Sequence, residues 1–371
     1  MAFNIPAEVG MHITAVDTPC LLVDIDALEA NIAYLADFAQ RAGVRLRPHA
    51  KSHKSADIAA RQLAQGAVGL CCQTVSEAEA MVHAGVRDVL VSNEVVAPRM
   101  IDRLAALAGD ARVIVCADDA DNVAALEAAA ARFATRLDVL VEMDVGAGRC
   151  GLAPGEPACQ LAHTIAACTN LRFAGLQAYH GPAQHIRDHA ERRAAIDAVV
   201  GLTRDTVERL AREGLTCEIV AGAGTGSFDM EAASGVYNEL QCGSYVFLDA
   251  DYARVAAVDG RALPFRHSLF VQTRVISKTR AGRAVCDAGL KAHSIDSGLP
   301  TVFDHAGVTY TGASDEQGQL DDPQDTLALG DTLRLVPGHC DPTVNMHDWL
   351  VGFRGDRVVA LWPVTARGMS L

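Results

Sequence analysis

The sequence is poor in basic charge, in aromatic side chains and in long apolar runs. Its 32 Lys and Arg residues are outnumbered by 46 Asp and Glu residues, which gives a formal net charge of −14. Such an acidic chain lacks the clustered positive charge with which proteins attract the phosphates of nucleic acids. No apolar run is long enough to cross a bilayer. We therefore expect neither a nucleic-acid partner nor a membrane partner.

A secretory signal and a disulfide framework are also absent from the sequence pattern. Residues 1–6 lack the basic and apolar regions of a signal peptide. The cysteines are an odd number, eleven, and several lie in apolar segments: Cys71, Cys72, Cys116, Cys242 and Cys286. We interpret them as reduced core side chains and expect a cytoplasmic protein.

Short apolar segments alternate with helical patterns between about residues 44 and 248. In the first helical pattern, Asp26 and Glu29 have the spacing of a capping box, and Gly43 is placed to end the helix. Eight strands are predicted here, 44–47, 68–72, 89–91, 113–116, 137–141, 173–176, 218–220 and 244–247, and a ninth, 21–25, precedes them. Eight parallel strands with helices between them close most economically as a (β/α)8 TIM barrel, with a doubly wound open sheet as the alternative.

The pattern changes after about residue 260, where helical periodicity is nearly absent. Strands are predicted over 268–277, 284–287, 301–303, 332–336 and 350–353. Gly355-Asp356 is placed to turn the chain into a further strand over 357–362, as an antiparallel hairpin. We therefore predict a barrel over 25–260 and a C-terminal antiparallel β domain that combines 1–24 with 261–371.

Polar, chemically capable residues follow the predicted barrel strands, which is where a β/α barrel carries its active site. The first cluster contains His49, Lys51, His53 and Lys54. Burial and neighbouring cations can lower the pKa of such a lysine and make it a nucleophile toward aldehydes. A solvated basic loop is the alternative interpretation.

The fifth strand leads into a loop in which Arg149 is surrounded by Gly146, Gly148 and Gly151. The glycines let the backbone and the guanidinium group approach a ligand closely. Their spacing matches G-x-G-x-x-G, but no helix follows directly and Pro154 interrupts the next segment. We therefore do not interpret the loop as a dinucleotide site.

The sixth strand leads into Tyr179 and His180, and His185 follows five residues later. An aromatic ring at this place can stack on a planar cofactor, and an imidazole can move protons. A purely structural Tyr–His pair is the alternative.

The seventh strand leads into the glycine-rich segment 222–227, which includes Gly224 and Thr225. Successive backbone N–H groups in such a turn form a nest for an anion, and a phosphate is the anion that barrels bind near their last two strands. Gly243 and Ser244, assigned to the eighth strand, are expected beside it. Because the turn has no P-loop lysine, it does not indicate a nucleoside triphosphate.

The β domain contributes His339 and Asp341, two residues apart on a segment predicted to be extended. Imidazole and carboxylate with open positions suit a divalent ion such as Mg²⁺ or Mn²⁺. Two ligands alone are a weak signal, and a surface turn is the simpler interpretation.

Together the clusters describe a pocket for pyridoxal phosphate, with a lysine for the aldehyde, a nest for the phosphate and an arginine for the phenolate. The chain then resembles the fold-type III pyridoxal phosphate enzymes, which have an alanine-racemase-like barrel, and within them the D-threonine aldolase group. The resemblance covers nearly the whole length. It depends on Thr18-Pro19-Cys20, Arg47-Pro48-His49-Ala50-Lys51, Gln177-Ala178-Tyr179-His180-Gly181, Gly224-Thr225-Gly226, Glu239-Leu240-Gln241-Cys242-Gly243-Ser244-Tyr245, Asp287-Ala288-Gly289-Leu290-Lys291 and His339-Cys340-Asp341-Pro342-Thr343.

The resemblance implies that Lys51 is the Schiff-base lysine and that His339 and Asp341 are ligands of Mn²⁺ or Mg²⁺. Related D-serine dehydratases have cysteine and zinc where this chain has Asp341, which favours a hard ion and aldolase chemistry. The cofactor is expected to contact His49, Gln73, Arg149, Tyr179, Gly224, Thr225, Gln241, Gly243 and Ser244. Gln241 and Glu239 are the candidate partners of the pyridine nitrogen.

The implied reaction is retro-aldol cleavage of a β-hydroxy-D-amino acid to glycine and an aldehyde. D-threonine would give acetaldehyde and 3-hydroxy-D-aspartate would give glyoxylate; segments around Gly338 and Pro300 also resemble 3-hydroxy-D-aspartate aldolases. The base is expected to be His185, His180 or a metal-bound water. The resemblance also implies a homodimer. The alternatives are a D-serine dehydratase-like enzyme or a racemase on the same fold, a noncatalytic carrier of the cofactor, and a cofactor-free metal aldolase.

Overall fold

The computed structural model describes residues 5–371. The first four residues of the predicted β domain therefore lie outside the described part of the chain. All eleven cysteines have free thiols, and those singled out from the sequence are buried as expected: Cys71, Cys72, Cys116, Cys242 and Cys286. In residues 5–371, no helix combines the length and the apolar character that crossing a membrane would demand.

Strands and helices alternate through the first two thirds of the described chain, and strands dominate the rest. The strands are β1 (Cys20–Asp24), β2 (Arg45–Leu46), β3 (Leu70–Cys72), β4 (Asp88–Glu94), β5 (Arg112–Ala117), β6 (Leu137–Glu142), β7 (Leu171–Gln177), β8 (Ile219–Gly222), β9 (Glu239–Leu240), β10 (Leu269–Arg280), β11 (Arg283–Cys286), β12 (Thr301–Val302), β13 (Thr309–Ala313), β14 (Gly318–Asp321), β15 (Thr332–Val336), β16 (Trp349–Arg354) and β17 (Arg357–Pro363). The helices are α1 (Ile25–Ala42), α2 (Ala56–Ala64), α3 (Val75–His83), α4 (Pro98–Leu107), α5 (Ala120–Phe133), α6 (Glu156–Ala166), α7 (His189–Arg212), α8 (Phe228–Ala232) and α9 (Cys340–Val344).

Strands β2 to β9 form a parallel sheet of eight strands in the order β2-β9-β8-β7-β6-β5-β4-β3. A parallel bridge between His49 and Cys71 and a hydrogen bond from the Cys71 N–H to the Pro48 carbonyl connect the two end strands. The sheet therefore closes on itself, which confirms the predicted α/β barrel and excludes the doubly wound alternative. Closure brings the carboxyl ends of all eight strands to one rim.

Two local predictions about the barrel are wrong. The segment 244–247 is not the eighth strand: it begins with a 3-10 turn, Ser244–Val246, and the eighth strand is β9. A short apolar run cannot distinguish a strand from a buried turn. The capping box at Asp26 also does not form, because Asp24 caps α1 by accepting the Ala27 N–H at 3.0 Å. Asp26 instead pairs with Arg354 of the β domain.

The barrel interior is layered because every second side chain of a strand faces inward. The middle layer is apolar and consists of Cys71, Leu90, Ile114, Cys116, Leu140, Ala174, Ile219 and Ala221. On four neighbouring strands, β4 to β7, the residue two positions before a middle-layer residue is charged: Asp88, Arg112, Asp138 and Arg172. At three places, the residue two positions after a middle-layer residue is polar: Gln73, Ser92 and Glu142. An ionic layer thus fills the amino-terminal end, and the polar layer faces the rim where chemistry is expected.

In the ionic layer, acids and arginines alternate across the barrel. Arg47 is 1% exposed and contacts both Glu239 and Asp88 at 2.7 Å. The alternation continues through Arg112, Asp138, Arg172 and Glu218. Such pairs are stable in a low dielectric only while every charge has its partner.

The remaining strands form a second, mostly antiparallel sheet of nine strands. Strand β1 lies in its centre, antiparallel to β10 and parallel to β16, so a segment near the start of the chain completes a sheet made by its end. The predicted hairpin is confirmed as β16 and β17. Strands β13 and β14 were not predicted, because their exposed polar residues and glycines carry a weak strand signal.

The ionic layer yields a stability prediction. Replacing Arg47 with Met leaves Glu239 buried with one of its charge partners gone, and should lower the free energy of unfolding by about 3–5 kcal/mol. The matched control is Arg45→Met, since Arg45 contacts the same carboxylate at 3.3 Å but its side chain is 35% exposed. The control should cost less than about 1 kcal/mol. Urea denaturation followed by circular dichroism measures both, and equal losses would contradict the role given to burial.

Candidate active site

A single cavity at the carboxyl-terminal rim of the barrel brings together every predicted catalytic, cofactor-binding and metal-binding residue except His180 and Glu239. Its lining consists of His49, Lys51, Ser52, Gln73, Ser92, Arg149, Gln177, Tyr179, His185, Ala223, Gly224, Thr225, Gln241, Gly243, Ser244, Asp251, Tyr252, His339 and Asp341. Residues of the barrel and of the β domain therefore face the same space.

Lys51 lies in the 3-10 turn Ala50–Ser52, which continues the chain beyond β2. Its side chain is 41% exposed, and its Nζ lies 3.5 Å from the Asp341 Oδ2. That carboxylate raises the pKa of Lys51 above its ordinary value, although burial acts in the opposite direction. The expectation of a lowered Lys51 pKa is therefore wrong, because the carboxylate that faces the amine outweighs burial.

His49 precedes the lysine and lies deeper in the cavity wall. Burial, assisted by the charge of Lys51, lowers the pKa of His49 to about 3. Its Nδ1 accepts the Lys51 N–H at 3.4 Å, and its Nε2 lies 3.3 Å from the Ser92 hydroxyl. The His49 ring is therefore neutral and fixed, which suits stacking on a planar ligand.

The turn after β8 has the form of an anion site. Ala223 has φ = 68°, the left-handed region, so the backbone reverses sharply there. Within the described residues, no hydrogen bond is found from the N–H groups of Gly224 or Thr225, and the buried Thr225 Oγ1 has no partner either. Gln184 fastens the turn by accepting the Gly226 N–H at 2.9 Å. These unused donors fit the phosphate of pyridoxal phosphate.

Gly243 and Ser244 lie on the next loop and face the same cavity. A Cβ at Gly243 would lie 2.5 Å from the Ser52 Oγ, so a larger residue here would have to displace the Ser52 side chain. Ser52 Oγ is itself buried without a partner in the described part of the chain. The two loops therefore approach each other closely beside Lys51 and form one wall of the cavity.

The cavity floor contains an amide pair. The side chains of Gln177 and Gln241 donate to each other at 2.8 Å in both directions. Glu239, the other candidate for the pyridine nitrogen, points to the opposite end of the barrel and pairs with Arg47. Glu239 is therefore excluded as a cofactor contact, and Gln241 stays a prediction.

Arg149 reaches the cavity from a loop that a carboxylate organises. Asp144 accepts the N–H groups of Gly146 and Gly148, each at 3.0 Å. A Cβ at Gly151 would lie 2.5 Å from the Asp144 N, which explains the glycine there. The glycines thus serve the fold of the loop that brings Arg149 to the cavity.

The two candidate histidines have different places. His180 is not in the cavity wall: its ring lies against Gly146, and burial lowers its pKa. His185 ends the 3-10 turn Pro182–His185 and faces the cavity, where its Nδ1 donates to the Asp251 Oδ2 at 2.7 Å. The geometry thus favours His185 over His180 as the proton-transferring group. Asp251 was not predicted, because an isolated Asp outside any motif carries no sequence signal.

His339 and Asp341 lie next to each other at the amino end of α9, on the β-domain side of the cavity. The His339 Nε2 lies 3.8 Å from the Asp341 Oδ1, a buried oxygen with no hydrogen-bond partner within residues 5–371. The His339 Nδ1 donates to Asp296 at 2.7 Å, an arrangement that typically orients a metal-ligating histidine. Asp296 was not predicted, because it lies 43 positions from the histidine in sequence.

A divalent ion fits this pair. Within residues 5–371 no group of three or more His, Cys, Asp or Glu side chains is placed to hold a metal. An ion held by His339 and Asp341 would therefore complete its shell with water or substrate oxygens, as Mg²⁺ and Mn²⁺ commonly do. The unpartnered Asp341 oxygen, aimed at an imidazole nitrogen, is the observation that supports the site.

The anion turn generates a binding prediction. Thr225→Val keeps the shape of the side chain but removes its hydroxyl, and a hydrogen bond to a charged group contributes about 1.5–3 kcal/mol. Pyridoxal phosphate should then bind about tenfold to a hundredfold more weakly to the apoprotein. Thr225→Ser, which keeps the hydroxyl, is the matched control and should bind normally. Fluorescence titration measures both, and equal affinity in all three proteins would remove Thr225 from the phosphate site.

Comparison with known proteins gives concordant results. The family model of the alanine racemase N-terminal domain matches residues 23–251, and that of a putative serine dehydratase domain matches residues 268–353. The chain is 48% identical to a 3-hydroxy-D-aspartate aldolase of Paracoccus denitrificans strain Pd 1222, over 99% of this chain and 96% of the relative. It is 44% identical to a D-threonine aldolase of an Arthrobacter species, over 98% and 96%. The crystal structure of D-threonine aldolase from Filomicrobium marinum superimposes with a TM-score of 0.97, at 49% identity and 100% coverage of both chains.

Proposed function

The chain belongs to the alanine racemase N-terminal domain family, and on this premise we propose that it is a pyridoxal phosphate- and divalent-metal-dependent aldolase. The substrates are D-configured β-hydroxy-α-amino acids, which are cleaved to glycine and an aldehyde. The observation that carries the proposal is the meeting of Lys51, the anion turn and the His339–Asp341 pair in one cavity. Aldolases of this substrate type are similar to the chain over nearly its whole length.

The residues of the cavity divide the task of binding. Lys51 would hold the cofactor covalently, and Gly224, Thr225 and Ser244 would bind its phosphate. The residues that would contact the ring are His49, Gln73, Tyr179, Gln241 and Gly243, and Arg149 would bind the phenolate. When bound, pyridoxal phosphate supplies an electron sink for the pair released at Cα.

Bond cleavage requires the loss of the proton on the β-hydroxyl group. His185 is the base, because its Nε2 is the ring nitrogen that Asp251 leaves free. An Mn²⁺ or Mg²⁺ ion held by His339 and Asp341 would lower the pKa of the hydroxyl. As the proton leaves for His185, the C–O bond becomes a carbonyl and the Cα–Cβ bond breaks. Protonation at Cα then yields glycine.

A dehydratase is the second candidate, because the β-domain residues match a putative serine dehydratase model. The two reactions differ in what leaves: a dehydratase releases ammonia and a keto acid, whereas an aldolase releases an aldehyde. The carboxylate at position 341 favours a hard ion and therefore the aldolase.

The proposal also covers the domain bounds, the oligomeric state and the location of the protein. We place the barrel at 25–260 and the β domain at 1–24 with 261–371. We also propose a cytoplasmic homodimer that acts on small D-amino acids. The free state of all eleven cysteines supports the reducing location.

The decisive test compares substrates directly. Purified protein loaded with pyridoxal phosphate should cleave D-threonine or 3-hydroxy-D-aspartate to glycine in the presence of Mn²⁺, and a chelator should abolish this activity. Lys51→Arg keeps the positive charge but cannot hold the cofactor in the same way, so it serves as the inactive control. Coupled assays for acetaldehyde and glyoxylate identify the substrate. Ammonia and a keto acid as the only products would instead establish the dehydratase.

The metal role has a separate test. Asp341→Asn preserves the shape of the side chain but replaces an anionic ligand with a neutral one, so Mn²⁺-dependent cleavage should fall on the order of 100-fold or more. The absorbance of the bound cofactor should persist. Titration with Mn²⁺, followed by electron paramagnetic resonance, measures the loss of metal affinity. Unchanged metal affinity and cleavage in this variant would assign the ion to other residues.

A further inference from the structure

The histidine that faces the cavity is held by a carboxylate with an unusual set of partners. Asp251 is 4% exposed, and its Oδ2 accepts the His185 Nδ1–H at 2.7 Å. Its other oxygen, Oδ1, accepts hydrogen bonds from both Arg187 and Arg254, the latter at 2.8 Å. The two oxygens of one carboxylate therefore have separate roles, one toward two guanidinium groups and one toward an imidazole.

The arginines also fix the charge of this carboxylate. Burial alone would favour the neutral acid, but Arg187, Arg254 and His185 outweigh it and hold the pKa of Asp251 below its ordinary value. Arg187 additionally donates to the Asp251 carbonyl at 2.7 Å, and Arg254 bonds the Ser297 carbonyl at 3.3 Å. The carboxylate thus cannot rotate without breaking several charged hydrogen bonds at once.

The backbone of the histidine is fixed from the other side. Gln184, the preceding residue, donates to the Ser227 hydroxyl at 2.7 Å and accepts the Gly226 N–H at 2.9 Å. The Tyr252 ring lies 6.3 Å from the imidazole, centroid to centroid. These contacts hold the position and orientation of the His185 ring. Asp251 then determines which of the two ring nitrogens carries the proton.

We propose that Asp251 is a positioning residue that locks His185 in the tautomer with Nδ1–H toward the carboxylate and an unprotonated Nε2 toward the cavity. This inference rests on the proposed function, in which that Nε2 accepts the proton of the substrate β-hydroxyl. An oriented carboxylate of this type fixes the tautomer of a base and stabilises the imidazolium ion that forms when the proton arrives. The paired arginines keep the carboxylate ionised and aligned for that task.

The arginine pair makes the effect of an amide substitution directional. In Asp251→Asn, the two guanidinium groups can only donate, so they require the amide oxygen on their side. The amide NH₂ group is then forced to face His185 and must donate to its Nδ1. The ring responds by carrying its proton on Nε2, where the cavity needs a lone pair. The variant should thus reverse the tautomer with nearly unchanged geometry.

The test combines kinetics with a direct readout of the tautomer. In the holoenzyme, Asp251→Asn should lower kcat by about 10²- to 10⁴-fold, the range associated with a misdirected general base, with a small change in KM. Nitrogen-15 NMR of the imidazoles should show the His185 Nε2 changing from an unprotonated to a protonated shift. The resonance is assigned among the 13 histidines by its absence in His185→Gln.

Arg254→Gln is the matched control, because it removes one donor and leaves Arg187 on the same oxygen. It should keep the wild-type tautomer and lose much less kcat than Asp251→Asn, and all variants should keep the absorbance of bound cofactor. An unprotonated Nε2 in Asp251→Asn, or a kcat within about threefold of wild type, would overturn the inference. If the wild-type protein cleaves no β-hydroxy-D-amino acid, the proposed function fails, while the NMR result independently decides whether Asp251 sets the tautomer.

Discussion

The contact between the Lys51 amine and the Asp341 carboxylate is the interaction on which the site depends. It joins a turn of the barrel to the β domain at 3.5 Å, so neither part alone contains the complete cavity. The lysine compensates a largely buried carboxylate, one oxygen of which has no hydrogen-bond partner within residues 5–371. Such a carboxylate is costly without a nearby cation, which makes this position suited to exchanging one positive partner for another. A divalent ion is the partner that the adjacent His339 would share.

The same alternation of side chains that builds the barrel determines which end can carry out chemistry. Inward positions near the amino ends hold an alternating ionic layer centred on Arg47 and Glu239, in which the charges satisfy one another. Inward positions near the carboxyl ends hold Gln73, Ser92 and Gln177, which face the cavity. Mutually paired charges give rigidity at one end, and polar groups that face open space give binding capacity at the other. The barrel therefore separates stability from function along its axis.

Sequence patterns predicted the barrel because its strands are apolar and evenly spaced, and they located the lysine and the anion turn because each follows such a strand. They failed where tertiary contacts decide. The segment 244–247 is as apolar as a strand, yet Ser244–Val246 is a turn because its backbone leaves the sheet to line the cavity. Asp251 and Asp296 have no local sequence signal, because the histidines that they hydrogen-bond lie 66 and 43 positions away in the chain. Spacing alone also did not show that an acid would raise the pKa of Lys51.

Each functional group of the cavity is fixed by a partner from a different part of the chain. The pairs are His185 with Asp251, His339 with Asp296, Gln241 with Gln177, and the anion turn with Gln184. Because these partners are themselves buried or paired, the functional side chains lose little further freedom when a ligand arrives. Gln184 and His185 are neighbours, so one short segment both fastens the anion turn and carries the proposed base. The proposed phosphate site and the proposed base are therefore linked through two consecutive residues.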